Sequence, residues 1–175
     1  MIIAISGVPG TGKSSSAKEL SKLIKVPVVE NKNLNVSYEY DKARKCKILD
    51  PEDVARFLSS KFDLKHQNVI FSSTLSHLLP KSMVKMCFVL RCSPDVLTRR
   101  LKRRRYSKSK INENVEAELI DLILIEALKK GHKVHEIDTT NKSPKEVALE
   151  MKRVLEGKKK PTYGKINFLK RFVEK

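Results

Sequence analysis

Residues 7–14 read Gly7-Val8-Pro9-Gly10-Thr11-Gly12-Lys13-Ser14, a complete G-x-x-x-x-G-K-[ST] loop that begins soon after the apolar run Ile2-Ile3-Ala4-Ile5. No other feature constrains the chain as much, because such a loop works only between a buried strand and the helix that follows it. Both partners are legible, the helix being expected over residues 15–24 (Ser15 to Ile24). Glycines let backbone N–H groups turn inward around phosphate oxygens. Lys13 supplies a point charge to the terminal phosphates, and the Ser14 hydroxyl is a ligand for Mg²⁺. The loop therefore reads as a nucleoside triphosphate site.

Beyond the loop, strands and helices alternate. Strands are expected at residues 1–6, 26–30, 68–72, 85–91 and 133–138. Asp50-Pro51, Ser93-Pro94 and Ser143-Pro144 each set a capping oxygen before a proline, which marks helix starts. Gly131 and Gly157 follow turns rich in lysine or arginine and mark helix ends. Val115 to Leu128 is apolar nearly all round, which predicts one helix buried on more than one side. Short apolar strands separated by helices give an α/β fold, a parallel five-stranded sheet with helices on both faces. The 175 residues suit one domain. No run of eighteen apolar residues occurs and the first strand has no basic leader before it, so the expectation is a cytoplasmic protein without a membrane partner. Cys46, Cys87 and Cys92 form no C-x-x-C pair and are expected to be reduced thiols, neither disulfides nor zinc ligands.

Charge adds a second constraint. Lysines and arginines number 37 against 20 acids, for a net charge of +17, more than one bound triphosphate needs. The excess clusters at Arg99, Arg100, Lys102, Arg103, Arg104, Arg105, Lys108 and Lys110, and again at Lys158, Lys159, Lys160, Lys165, Lys170 and Arg171. Such runs neutralise nucleotide phosphates, hold an RNA backbone, or simply solvate a surface. Two polar segments interrupt the core pattern. Residues 31–49, with Tyr38, Tyr40, Lys42, Arg44, Lys45 and Lys47, follow the second strand, where a second substrate could lie. Residues 103–113 follow the helix after the fourth strand and read as a lid whose arginines close over a triphosphate.

The segments GVPGTGKSS, VLRCSPDVLTRRLKRRRYSKSKINENVEAEL and EIDTTNKSPKEV together resemble the atypical adenylate kinase family, isoenzyme six in animals, across residues 1–157. The most specific part is Arg104 and Tyr106 followed by Ile111 to Glu118. The resemblance implies an adenylate-kinase-like P-loop NTPase fold with short monophosphate-binding (30–49) and lid (103–113) segments, leaving 158–175 as a basic C-terminal tail. It also implies broad nucleoside monophosphate kinase activity with ATP and Mg²⁺, an accompanying ATPase activity, and a role in late maturation of the small ribosomal subunit. Small-subunit ribosomal protein eleven and rRNA or the pre-ribosomal particle are the implied partners.

Carried over residue by residue, Gly10, Gly12, Lys13, Ser14 and Ser15 match the triphosphate loop, Arg104 the lid arginine, and Lys142 a position near the adenine. Arg44 is the candidate for the monophosphate's phosphate, and Lys13, Arg104 and Arg100 form the expected clamp for in-line transfer. Ser14 is the expected metal ligand. Two departures stand out. Ser72 and Thr74 occupy the places of a family Asp-x-His pair whose acid helps order Mg²⁺, although His77 remains, and Arg105 stands where glycine is common. The missing acid and the basic tail favour a second class of function, an ATP-gated ribosome assembly factor with little kinase activity. A small-metabolite kinase on the same scaffold is disfavoured by the segment Ile111 to Glu118.

Overall fold

A computed structural model describes residues 1–42 and 46–173. Its centre is a five-stranded sheet of β1 (Ile2–Ser6), β2 (Val28–Glu30), β5 (Val69–Ser72), β6 (Val84–Arg91) and β7 (Val134–Asp138). The spatial order is β2-β5-β1-β6-β7 and every pairing is parallel. All five strands expected from the sequence are present. Between them, β3 (Glu39–Asp41) and β4 (Cys46–Ile48) form a separate antiparallel hairpin within the polar segment after β2.

Strand alternation sorts the core into two layers. Ile3 and Ile5 of β1 pack with Ala17 and Leu20 of α1 (Lys13–Ile24) and with Val147, Ala148 and Met151 of α6 (Pro144–Leu155). Ile2 and Ala4 face the other way, toward Val54 and Leu58 of α2 (Pro51–Lys61) and Leu124 and Ala127 of α5 (Leu122–Lys129). Burying each such aliphatic side chain contributes about 1.5–3 kcal/mol, so these layers fix the sheet on which the loop is mounted. A third cluster joins Val8 of the loop to Leu97 and Leu101 of α3 (Pro94–Arg103) and Ile111 of α4 (Lys108–Leu119).

The punctuation signals perform as read, with one variation. Asp50 accepts from the Glu52 N–H, and Ser143 forms a reciprocal capping box with Glu146. Ser93 instead uses its backbone N–H, donating to Thr140 Oγ1 at 2.9 Å. Gly131 and Gly157 adopt φ of 75° and 73° after α5 and α6.

One expectation needs correcting. Val115 to Leu128 is not one helix: α4 ends at Leu119, α5 begins at Leu122, and Asp121 between them has a left-handed φ of 55°. The cause is electrostatic, because Asp121 turns its carboxylate onto the Arg91 guanidinium rather than continuing the helix. Nor is the stretch buried throughout, since Ile120 and Ile125 are 56% and 43% exposed. Within the basic tail, Thr162, Gly164 and Phe168 rest on the body of the fold. The Glu136 N–H of β7 donates to Thr162 O at 2.8 Å, and Phe168, in α7 (Phe168–Val173), is buried beneath the Arg91 guanidinium. Among the described residues, no helix is long and apolar enough to cross a membrane.

Candidate functional site

The phosphate loop is wedged against its neighbours at its glycines. A Cβ on Gly7 (φ +140°) would lie 2.5 Å from Leu90 O, and one on Gly10 (φ +94°) 2.8 Å from Leu97 Cδ1. Only glycine meets both the dihedral and the space, so the loop is held between the end of β6 and α3. Helix α1 starts at Gly12 without a side-chain cap, which leaves its first-turn N–H groups to an anionic ligand. Lys13 Nζ donates to Gly7 O at 2.8 Å and Val8 O at 3.0 Å, folded under the loop. Burial pulls its ammonium down to about 7, the nearby Arg104 charge acts in the same direction, and Glu118 opposes both.

Gly10, Gly12, Ser15, Arg100, Arg104 and Lys142 all line one cleft of about 330 Å³. Thr139, Pro144 and Val147 complete its far wall. The Thr139 hydroxyl lies 2.9 Å from Thr11 O and 2.8 Å from Arg91 O, tying the loop to the ends of β6 and β7. Arg100 reinforces that tie, donating to Gly10 O at 3.2 Å and Thr139 O at 3.0 Å. Lys142 pairs with Glu150 at 2.7 Å. Glu150 also meets His135 at 3.1 Å and Lys159, and these contacts, His135 foremost, hold its carboxyl far below the usual range. Arg44 lies outside the described residues.

Of the lid expected over 103–113, Arg103 ends α3, residues 104–107 turn tightly, and residues 108–113 are the first half of α4. The Tyr106 N–H donates to Leu101 O at 3.3 Å and the Arg105 N–H to Lys102 O at 2.9 Å, the paired bonds of a Schellman helix end. Arg105 fills the left-handed position with φ 58°. That is why glycine suits the place, and an arginine there is strained by roughly 1–2 kcal/mol.

Three features of the site escaped sequence reasoning. Arg91, 1% exposed at the end of β6, donates to Glu118 Oε1 at 2.6 Å and to Glu136 and Asp121. Burial works against its charge, but the carboxylates more than offset that and raise its pKa above the usual arginine value. A charged residue closing an apolar strand was the available signal. Second, Ser6 Oγ lies 2.7 Å from His77 Nδ1, whose Nε2 is 2.9 Å from Glu126 Oε2. The order resembles a hydrolase triad, but Ser6 is fully buried. The chain braces the strand end that launches the loop against α5, and burial keeps His77 below the usual histidine value despite Glu126. Third, Glu30 at the end of β2 sits beside Ser14, whose hydroxyl lowers the Glu30 pKa. The buried thiols are inert: burial pushes Cys87 up to about 12 and Cys92 up to about 11.

Comparison with known proteins places this geometry. The AAA domain family model matches residues 3–121. A Thermococcus onnurineus protein named "Putative adenylate kinase" is 39% identical over 169 residues, covering 96% of this chain and 91% of the relative. The chain belongs to this adenylate kinase family. A Pyrococcus furiosus member of the same name is 38% identical over 175 residues, covering 99% and 94% of the two chains. Among solved structures, the Bacillus subtilis YorR protein in complex with phosphorylated GDP superposes with a TM-score of 0.61 at 19% identity, covering 90% of this chain and 97% of that one. That likeness extends to the P-loop fold.

Proposed function

We propose that this chain is a nucleoside monophosphate kinase of broad specificity, transferring the terminal phosphoryl group of ATP to AMP and related monophosphates to give two diphosphates. Family membership supports nucleotide phosphotransfer. The observation that carries the reading is the convergence of two cations: Lys13 lies under the loop, and Arg104 is close enough to depress its pKa. Such a pair stores repulsion that a triphosphate relieves. Transfer needs positioning and charge stabilisation rather than a general base, because the acceptor phosphate is already ionised. Lys13 holds the terminal phosphates, Arg104 neutralises charge as it develops, and Arg100 fixes the loop against the Thr139 wall. The hairpin segment 30–49 holds the acceptor, with Arg44 on its phosphate, and Lys142 lies beside the base. Water is the competing acceptor when the monophosphate is absent, which gives an ATPase activity.

Mg²⁺ fits the oxygen donors beside Ser14, where Glu30 Oε1 and Ser72 Oγ are buried without a hydrogen-bond partner among the described residues. When bound, it neutralises phosphate charge. An unsatisfied buried polar group costs about 1–3 kcal/mol, and a cation with its waters would remove that cost.

A second reading, the ATP-gated assembly factor that binds small-subunit ribosomal protein eleven or its rRNA, is supported by the +17 charge and by Arg103, Arg104 and Arg105. None of these three forms an ion pair among the described residues. Direct RNA binding through six phosphates would give a log-log salt slope of about −4 to −5. The separating experiment is ADP formation from ATP with and without AMP. A kinase shows strong stimulation by AMP, whereas equal rates favour the assembly factor.

A further inference from the structure

We propose that Glu30, from β2, is the acid that orders the waters of Mg²⁺ at this site, with the Ser72 hydroxyl of β5 beside it. The inference rests on the nucleotide-site reading and specifies which of the chain's own residues face the metal. Three observations carry it. Glu30 and Ser72 are register partners across the parallel β2–β5 pairing, each the last residue of its strand. Val28 and Ile70, two residues earlier on the same strands, pack in the layer shared with α1, so alternation aims Glu30 and Ser72 at the face where α1 begins. Ser14, in the first turn of α1, reaches that face and hydrogen-bonds the Glu30 carboxylate through its hydroxyl.

Two buried oxygens at this place lack partners among the described residues. Ser72 is 5% exposed with its Oγ unpartnered, and Glu30, with a side chain 13% exposed, leaves Oε1 unpartnered among the described residues. The other carboxylate oxygen is engaged by Lys32 at 3.0 Å, and the carboxylate also accepts from the Asn33 N–H and the Ser14 hydroxyl. A residue serving only to cap the turn at Asn31–Asn33 would not need a second oxygen buried opposite an orphaned hydroxyl. One free carboxylate oxygen and the Ser72 hydroxyl, beside Ser14 at the foot of a phosphate loop, suit a hydrated Mg²⁺, which keeps several waters and needs few direct carboxylates.

The test is calorimetric binding of ADP with and without Mg²⁺, alongside Mn²⁺ affinity by electron paramagnetic resonance, in wild type, Glu30→Gln, Ser72→Ala and E30Q/S72D. Glu30→Gln is expected to lose roughly 10-fold or more of the Mg²⁺-dependent tightening and of Mn²⁺ affinity, while Mg²⁺-free ADP binding holds or improves. E30Q/S72D should recover the tightening, because it restores an acid one strand over. Ser72→Ala leaves the turn intact and should lose roughly 10-fold, the low end of the range for such supporting contacts. Thermal melts exclude unfolding as the cause. Full Mg²⁺ tightening in both Glu30→Gln and Ser72→Ala would overturn the inference while leaving the nucleotide reading standing. Wild type that binds no ADP in either condition would overturn both.

Discussion

Two arginine environments near the loop differ in one respect that separates scaffold from site. Arg91 is buried and shared among Glu118, Asp121 and Glu136, so its charge is spent inside the protein. Arg104, a short distance along the chain, is exposed, lines the cleft, and forms no ion pair among the described residues. The first joins β6 to α4, the α4–α5 junction and β7. The second leaves its charge to act on Lys13 and on whatever enters the cleft. Removing the buried charge should therefore cost stability, and removing the exposed one should cost turnover.

The largest effect that would sharpen this contrast lies at Lys13. Lys13→Ala should abolish ATP binding at micromolar levels and all phosphoryl transfer, measured by calorimetry and ADP release. Wild-type affinity in that variant would remove the loop from the account. Next comes Arg91→Met, expected to lose about 3–5 kcal/mol because three carboxylates are left facing a neutral side chain. For a chain of this size that lowers Tm by roughly 6–20 °C. Burial already pushes the Glu118 carboxyl up, so lowering the pH protonates it and should narrow the gap to wild type; a gap that widens on acidification would break the assignment.

A smaller effect concerns protons. Free Lys13 titrates near 7 and should stay charged against bound phosphates, so the bound form has the higher pKa. Below about pH 7 the lysine is already protonated and binding takes up no proton. Above it, binding must bring the proton along, and ATP affinity should fall by up to about tenfold per pH unit. Calorimetry in buffers of different ionisation enthalpy reads that uptake directly, and no uptake at pH 8 would contradict the depressed value. The smallest effect is at Arg105. Arg105→Gly should relieve the left-handed strain at the α3 end and raise stability by up to about 1 kcal/mol, or roughly 2–4 °C in Tm, with turnover little changed.

Local signals in the sequence carried the framework. The loop, the five strands and the proline-preceded caps depend on spacing within a few residues, and they reappear in the structure nearly as read. What escaped depends on residues far apart. Arg91 meets Glu118 across 27 positions and Glu136 across 45, so neither the broken helix at Asp121 nor the function of Glu118 inside Ile111–Glu118 could be seen from periodicity. Apolar character alone suggested a continuous helix because it carries no information about a buried guanidinium. Glu30 was hidden for a related reason. In sequence it opens a polar segment, and only the β2–β5 register sets it beside Ser72.

The division between a neutralised scaffold and open cations meets its most direct test in Arg104→Ala, assayed for AMP-dependent ADP formation at saturating ATP and AMP and for thermal stability in the same preparation. Turnover should fall on the order of 10³-fold while Tm stays within about 2 °C of wild type, as for a charge that acts on the transferring phosphoryl group and holds nothing in the fold. Unchanged turnover, or a loss that simply follows a lowered Tm, would contradict it.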